Sequence, residues 1–407
     1  MRELDFLRLI ESIGGKVYVV GGWVRDKIMN CEPCDKDYAV VGVEESSFVE
    51  KFPEAKKIGN SFPVFTLDIE GEQREVAFAR TEVKTSSGYT GFSVLFSPDV
   101  TIEEDLYRRD TTMNSMAWDL RTSSLIDPYF GSRDIKNKII RATSEHFMDD
   151  PVRALRAARQ SAQFGFEIEA RTLEMMSFCA RELSEEPKER IIKEMAIALA
   201  TNKPSLYFRI LEKSNLLNVV FPYLSKLAEQ RRARKDNFEK YNFESAMLIL
   251  DETARQNSRV EVRFAALIAA ISNVVAEREA SLQNYDFGIE GLQLLNEINN
   301  TMTLPKLWYK CADFTIKGLN RVYRITEADE IVDFLIRLSK NPIGHDGFLA
   351  VMRALNPKEN IDFVTNYEKY MKAISSVRNY KIPEGLKGAE IGEWVRQREV
   401  EAYKKLV

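Results

Sequence analysis

The sequence predicts an α+β protein, with a small mixed β-sheet and helices in the N-terminal third and an all-α remainder. Three observations lead to this fold class. The first 140 residues alternate short β-rich segments with loops that carry Gly, Pro and Asn. From about Ser144 onward, apolar residues recur at helical spacing and glycines are few. The chain has 407 residues, 44% of them hydrophobic and 29% charged, which is typical of a globular protein of several domains.

The predicted elements follow in chain order. A helix is expected to begin at Trp23, and a basic helix covers residues 151–164. The five predicted strands are 17–20, 38–43, 64–69, 74–79 and 115–120. The predicted domains are 1–141, 142–202, 203–290 and 291–407, which we name head, neck, body and tail.

Composition excludes several classes of function. Four cysteines are too few for a disulfide framework, and Cys31 and Cys34 lack the two further ligands of a structural zinc site. Two histidines in the chain argue against histidine-based catalysis. A net charge of −4 means that a nucleic-acid partner must be held by local patches. No apolar segment approaches the roughly 20 residues that span a bilayer, and the N-terminus does not resemble a signal peptide, so we expect a cytoplasmic protein with no membrane contact.

A Gly-Gly turn between a strand and a helix is the first chemical signal. The strand at 17–20 leads into Gly21 and Gly22, which leave the backbone amides at the helix start unobstructed. This geometry suits a triphosphate, and Arg25 lies one turn into the helix. Alone, such a turn is also common in proteins that bind no phosphate.

Paired carboxylates follow. Asp35 and Asp37 are two residues apart, and on a strand such residues point to the same face and can share a divalent cation. Two Mg²⁺ ions held there would activate a hydroxyl nucleophile without any histidine. Glu75, on a neighbouring predicted strand, is the candidate for a third carboxylate. The alternative is that these are solvated strand acids.

The basic helix carries Arg153, Arg156 and Arg159 at intervals of three residues. That spacing spreads them over about 120° of the helix surface, so one face can present guanidinium groups to a nucleotide. A solvated face beside a core stripe is the alternative.

Several ordered motifs resemble one family. GGWVRD and DKD are followed by RRDTTMNSMA, DPYFGSRD, DDPVRALRAAR and ERIIKE. This series is similar to that of class II tRNA nucleotidyltransferases and bacterial poly(A) polymerases, members of the polymerase β superfamily. The resemblance implies a polymerase β-like head, a neck with a nucleotide-selecting helix and a tail that binds the acceptor and TΨC arms of tRNA. It implies CTP and ATP as substrates and no obligate protein partner.

By position, the resemblance also implies roles for single residues. Asp35 and Asp37 would bind magnesium, and Glu75, the candidate from the neighbouring predicted strand, would add a third catalytic carboxylate. Asp150 and Arg153 would read the base: a carboxylate accepts from the exocyclic amine of C or A and faces a carbonyl oxygen in U or G. The implied nucleotide-binding residues are Gly21, Gly22, Arg25, Arg109, Asp110, Asn114, Asp150, Arg153, Arg156 and Arg159.

The sequence departs from the family at a few positions. Asp149 stands in place of Glu, Ser115 in place of Ala, and Gln160 in place of an aromatic residue. The body resembles an HD phosphohydrolase region, but the metal-ligand positions hold Ser245, Ala269 and Ala270, which predicts a degenerate scaffold without hydrolase activity.

Two basic clusters are candidates for RNA contact, although exposed helix charges over core aromatics are an equal alternative. The first comprises Arg231, Arg232, Arg234 and Lys235, and the second comprises Lys306, Lys310, Lys317 and Arg321 with Trp308, Tyr309 and Phe314.

Three functions remain open at this point. The first is untemplated CCA addition to tRNA. The second is a sibling activity, poly(A) synthesis or partial CC or A addition; the sequence at 58–69 and the full-length segment at 81–105 favour complete CCA addition. The third is a catalytically silent tRNA-binding protein, which the retention of Asp35 and Asp37 disfavours.

Overall fold

The chain forms two compact units. A computed structural model describes residues 1–33, 35–58, 64–85, 91–233, 243–279 and 287–407. The first unit comprises Met1–Glu194 and Leu206–Val220, and the second comprises Met195–Ser205 and Phe221–Val407. The head contains a mixed sheet and the remainder is helical, which confirms the predicted α+β class. The boundaries between the four predicted domains stay predictions.

A seven-stranded sheet organises the head. The strands of the head are β1 (Lys16–Val20), β2 (Asp37–Val41), β3 (Lys56–Ile58), β4 (Val64–Ile69), β5 (Glu72–Phe78), β6 (Arg80–Lys84), β7 (Phe92–Phe96), β8 (Ala117–Asp119) and β9 (Ser124–Ile126). The strand order of the sheet is β3-β4-β5-β2-β1-β8-β9, and β6 and β7 form a separate antiparallel pair. At the end of the head, β10 (Ile139–Ile140) pairs with β11 (Glu167–Ile168).

Strand register places Asp37 at the centre of the sheet. Val20, the last residue of β1, pairs with Asp37, the first residue of β2. On the other side of β2, Tyr38 pairs with Val76 of β5 in a parallel ladder. Since side chains alternate along strands, Asp37 and Glu75, each one residue earlier, lie on the same face. The register therefore brings together two of the three predicted carboxylates.

Both faces of the sheet are packed. One face carries a cluster of aromatic rings from Phe6, Phe48, Phe52, Phe65 and Phe78. The opposite face, which includes Asp37, has an apolar cluster in which the helix α4 (Ile102–Tyr107) contributes buried residues. These two layers hold the central strands rigidly, so the strand ends form a fixed platform for the site.

Eleven helices lie within the part of residues 3–220 that the structure describes. Helix α6 buries Val152, Leu155 and Ala158, so its apolar stripe turns inward and its arginines are left on the remaining surface. The helices are α1 (Glu3–Ser12), α2 (Gly22–Ile28), α3 (Glu45–Lys51), α4, α5 (Gly131–Lys136), α6 (Val152–Phe164), α7 (Ala170–Phe178), α8 (Ala180–Glu185), α9 (Lys188–Leu199), α10 (Ser205–Lys213) and α11 (Leu217–Val220).

In the described residues after 220, the regular secondary structure is helical. Its elements are α12 (Pro222–Ala233), α13 (Phe243–Gln256), α14 (Val260–Glu279), α15 (Phe287–Met302), α16 (Lys306–Val322), α17 (Ala328–Lys340), α18 (Gly344–Leu355), α19 (Asp362–Thr365), α20 (Tyr367–Ser376) and α21 (Ala389–Lys404). Among the described residues, no helix combines the length and the apolar character that crossing a bilayer requires.

Candidate active site

A large polar cavity lies within the first unit. Its volume is about 770 Å³, which is sufficient for a nucleotide. Among the described residues that line it, nine are basic and four are acidic, so the wall carries an excess of positive charge. The charged lining residues are Arg25, Asp37, Arg80, Arg108, Arg109, Asp110, Asp150, Arg153, Arg156, Arg159, Arg190, Lys193 and Glu194.

The Gly-Gly turn forms one edge of this cavity. Gly21 has φ of +74°, a conformation that a residue with a side chain rarely adopts. A Cβ atom at Gly21 would lie 3.7 Å from Nη1 of Arg109 and 3.9 Å from Oδ2 of Asp37. The turn thus brings the guanidinium group of Arg109 and the carboxylate of Asp37 together beside a stretch of backbone that no side chain covers. Helix α2 begins at Gly22, one residue earlier than the sequence predicts.

Arg109 is held from behind by Asp105. The Nε and Nη2 atoms of Arg109 donate to Oδ2 of Asp105, and Arg108 donates to Oδ1 from Nη2 at 2.5 Å. Burial favours the neutral acid, but the two guanidinium groups outweigh it and hold the pKa of Asp105 at about 2. Asp105 is therefore ionised at neutral pH and fixes both arginines, so that Nη1 of Arg109 faces the Gly21 turn.

A chain of hydrogen bonds joins α2 to α6 along the cavity floor. Arg25 donates from Nη1 to Oδ1 of Asn114 at 3.0 Å, and Asn114 donates from Nδ2 to Oδ1 of Asp110 at 3.0 Å. Asp110 accepts from Nε of Arg156 at 2.8 Å. Although burial raises the pKa of Asp110, Arg156 and Asn114 lower it well below the usual range of an aspartate. The buried acid is thus paired, as a buried charge requires.

The two residues predicted to read the base lie at the N-terminal end of α6. Asp150 accepts from the backbone N–H of Val152 at 3.1 Å and from Nη2 of Arg190 at 2.8 Å. Arg153 donates from Nη1 to the carbonyl oxygens of Arg108 and His146, at 2.7 and 2.6 Å. Both side chains line the cavity and are held by neighbours that fix their orientation.

Arg159 occupies the far end of the same helix face. Its Nε donates to Glu194 of α9 at 2.7 Å and its Nη1 donates to Gln163 at 2.8 Å. Gln160, where the sequence departs from the family, is fully buried and accepts from the hydroxyl of Thr111 at 3.3 Å. A small polar contact therefore takes the place of an aromatic ring there.

The carboxylates predicted to hold magnesium are only partly assembled. Asp37 lines the cavity, whereas Asp35 and Glu75 do not. Strand β2 begins at Asp37, so Asp35 precedes the strand, is almost fully exposed and pairs with Arg74 at 3.1 Å. The prediction that both aspartates lie on one strand is wrong, because the chain joins the sheet only where Asp37 meets Val20. The described residues contain no cluster of three or more metal-ligating side chains.

The donor set nevertheless suits a divalent cation. The pKa of Asp37 is raised by burial and by the negative charges of Glu75 and Asp35, despite the opposing effect of Arg109. These carboxylates are close enough to repel one another, and Asp37 lines the nucleotide-sized cavity. Carboxylate oxygens are ligands of the kind that Mg²⁺ prefers. A cation would remove that repulsion.

Eleven of the thirteen predicted site residues line the cavity, all except Asp35 and Glu75. Sequence reasoning gave no site role to Arg80, Arg108, Arg190 or Lys193, which line it as well. Arg108 and Arg190 belong to the quoted motifs RRD and ERIIKE, so their positions carried a signal. Lys193 also lies within ERIIKE, at a position that the family motif leaves variable, whereas Arg80, at the start of β6, lies outside the quoted motifs.

The structure also bears on the RNA candidates. Trp308 is buried and packs against Phe264 at 4.8 Å between ring centroids, and the half-buried Phe314 packs against Phe334, so both rings are engaged by other aromatic side chains. Lys306, Lys310 and Lys317 are exposed. Arg234 and Lys235 lie outside the described residues, as do the side chains of Arg231 and Arg232, and so does Cys34.

Comparison with known proteins identifies the family. The model of the poly A polymerase head domain matches residues 17–141, and that of the probable RNA and SrmB-binding site of polymerase A matches residues 165–227. The multifunctional CCA protein of Haemophilus ducreyi is 33% identical over 323 residues, which are 77% of each chain. This chain belongs to the family of CCA-adding tRNA nucleotidyltransferases. The family recognised from the ordered motifs is thereby confirmed.

Solved CCA-adding enzymes share the fold. The Bacillus stearothermophilus CCA-adding enzyme in complex with CTP has a TM-score of 0.66 at 21% identity and covers 99% of this chain and 91% of its own. A CCA-adding enzyme complex with ATP has a TM-score of 0.65 at 23% identity, with 97% and 89% covered.

Proposed function

We propose that this tRNA nucleotidyltransferase adds CCA to the 3′ end of tRNA from CTP and ATP, without a nucleic-acid template. The observation that carries the proposal is the single cavity in which the Gly21 turn, Asp37 and the arginines of α6 converge. This cavity contains groups that suit a triphosphate, a base and a reacting 3′ end. Membership of the CCA-adding family supports the same activity.

The phosphate groups bind at the Gly21 edge. Arg25 and Arg109 flank the turn, and each is oriented by an acid at its back, Asp26 and Asp105 respectively. A guanidinium group fixed in this way binds phosphate without first losing side-chain freedom, which is the advantage of preorganisation. These residues neutralise charge that builds up on the leaving pyrophosphate.

Asp150 and Arg153 select the base of the incoming nucleotide. Each carboxylate oxygen of Asp150 accepts one hydrogen bond from the protein and keeps lone-pair capacity for a second. One of the two Asp150 oxygens accepts a hydrogen bond from the amino group of cytosine or adenine. In uracil or guanine it would face a carbonyl oxygen, and an unmatched pair of acceptors is costly in a partly buried site.

In the reaction, the terminal hydroxyl oxygen of the tRNA attacks the α-phosphorus, the bond from that phosphorus to the β-phosphate oxygen breaks, and pyrophosphate leaves. Asp37, with Asp35 and Glu75 nearby, is the group that would hold Mg²⁺. Magnesium, when bound, lowers the pKa of the attacking hydroxyl and offsets the charge on the phosphates. Exposed Asp35 would exchange its partner Arg74 for the cation.

Product length tests the proposal. The protein is incubated with magnesium and with tRNA that lacks its last three nucleotides, in the presence of CTP, ATP or both. We expect two added residues with CTP alone and three with both nucleotides, after which addition stops. A long tail from ATP alone would indicate poly(A) synthesis, and two residues at most would indicate partial addition. No extension under any condition would refute the proposal.

A further inference from the structure

A cluster of indole rings and lysines lies beside the active site but outside its cavity. Trp23 and Lys27 lie one turn apart on α2, Lys36 directly precedes Asp37, and Trp118 lies on β8. We name these four residues the indole patch. None of them lines the nucleotide cavity, and neither the sequence motifs nor the catalytic proposal assigns them a role.

The lysines lie over the indole faces. The Nζ of Lys27 is 5.1 Å from the ring centroid of Trp23 and 4.7 Å from that of Trp118. The Nζ of Lys36 is 5.1 Å from the ring centroid of Trp23 and also pairs with Glu3 at 2.7 Å. Both indoles are half-buried and Lys27 is exposed. Among the described residues, Lys27 forms no ion pair, so its charge is available to an external anion.

The position of the indole patch relates it to the reacting end of the RNA. Along β1, Val19 pairs with Trp118 and the next residue, Val20, pairs with Asp37. Since side chains alternate, Trp118 and Asp37 lie on opposite faces at the same end of the sheet. Asp37 lies at the edge of the cavity beside the Gly21 turn, and a nucleotide would occupy the cavity itself, so this end of the sheet offers the RNA strand a route to Asp37.

We propose that the indole patch binds the single-stranded 3′ segment of the tRNA, immediately upstream of the reacting nucleotide. This inference rests on the proposed function. The segment is unpaired because it grows without a template strand. Partly exposed indoles supply stacking surfaces that accept any base, and Lys27 contacts a backbone phosphate. Such a surface would hold a 3′ end whose length and sequence change at each addition.

Separate kinetic constants for the two substrates test the inference. In Trp23→Ala, loss of one base stack is expected to raise the KM for tRNA ending in CC by about 5- to 100-fold. The KM for ATP should change less than about twofold, because Trp23 does not line the cavity. Trp23→Phe, which keeps an aromatic face, should recover most of the affinity for tRNA, whereas a purely structural role would alter both KM values together.

The lysine provides a second measurement that does not depend on core packing. Lys27→Met should reduce the slope of log affinity for tRNA against log salt by about 0.7, the value for one contact with single-stranded phosphate. Lys16→Met, at the exposed opposite end of β1, is the matched control and should leave the slope unchanged.

The outcomes separate this inference from the proposed function. If wild-type protein extends the truncated tRNA while Trp23→Ala and Lys27→Met keep its KM and salt slope, the patch does not bind RNA and the inference is overturned. If wild-type protein does not extend tRNA at all, the proposed function fails. In that case, weaker binding of tRNA by both variants would still support the patch as an RNA site.

Discussion

Arg156 donates from Nε to Oδ2 of Asp110 over 2.8 Å, and this contact ties helix α6 to the RRD motif, of which Asp110 is the last residue. Asp110 is buried, and its other oxygen accepts from Asn114 and from the backbone N–H of Thr111. Its carboxylate is therefore occupied by the protein itself. We expect Asp110 to act on a bound nucleotide largely through the position of Arg156.

Asp110→Asn is expected to raise the KM for both CTP and ATP by about tenfold or more. The substitution removes the charge that holds Arg156, and a hydrogen bond to a charged group contributes about 1.5–3 kcal/mol. Steady-state kinetics with each nucleotide measure the effect. Asp119→Asn, at the half-buried end of β8 and outside the cavity lining, is the control. Unchanged KM values for both nucleotides would contradict the positioning role.

Asp105 should make stability depend on acid pH. Its pKa is lowered in the folded protein to about 2, so its stabilising contribution is complete above the unfolded pKa near 3.8 and is lost as the pH falls toward 2. At 1.36 kcal/mol per pKa unit, the contribution is about 2 kcal/mol at neutral pH. Asp105→Asn should therefore unfold at lower denaturant concentration than wild type at pH 7, with a smaller difference at pH 2.5. An equal difference at both values would refute the assignment.

Asp37→Asn should reduce nucleotide transfer by at least about a hundredfold while tRNA binding stays within a few-fold of wild type. The amide keeps the shape of the side chain but is a poor ligand for a cation. Incorporation of labelled CMP and filter binding of tRNA provide the two measurements. Asp68→Asn, at an exposed position of strand β4, should behave as wild type. Near-normal incorporation by Asp37→Asn would remove this residue from the metal site.

Arg153→Ala should weaken discrimination against UTP and GTP more than it weakens nucleotide binding. Its guanidinium bridges the carbonyl oxygens of Arg108 and His146, and lysine does not reproduce that planar arrangement, so Arg153→Lys should discriminate poorly as well. The ratios of kcat/KM for CTP and UTP measure the effect, with exposed Arg121→Ala as control. Unchanged ratios in both Arg153 variants would exclude base reading by this residue.

The body should not hydrolyse 2′,3′-cyclic nucleotides with any divalent metal added. Ala269 and Ala270 are buried and have no metal-binding atom, and Ser245 occupies the remaining ligand position. A phosphate-release assay with Mg²⁺, Mn²⁺, Co²⁺ and Ni²⁺ examines this. Measurable hydrolysis that depends on added metal would show that another ligand set exists.

Short-range patterns in the sequence predicted much of the site. The strand at 64–69 was placed correctly, and the interval of three residues between Arg153, Arg156 and Arg159 placed all three on the cavity wall. These features depend on periodicity within one element, which the sequence shows directly. The ordered motifs added the residues that lie far apart in the chain.

Other features depend on contacts that a single sequence does not show. Asp35 was expected on the strand with Asp37, but β2 begins only at Asp37, where the chain first pairs with β1. The β6–β7 pair was not predicted, so the position of Arg80 on the cavity wall was missed as well. Trp308 and Phe314 were candidates for RNA contact because aromatic residues beside lysines are found both in cores and at nucleic-acid surfaces. Only tertiary packing distinguishes the two.

The surplus of basic groups around the cavity also has a consequence after the bond has formed. A wall that attracts three linked phosphates retains two of them nearly as well, because the charges that lie beside Gly21 do not change when the product is made. We therefore expect pyrophosphate to compete with CTP and ATP for this wall. Removal of pyrophosphate in the cell would then favour the forward direction of nucleotide addition.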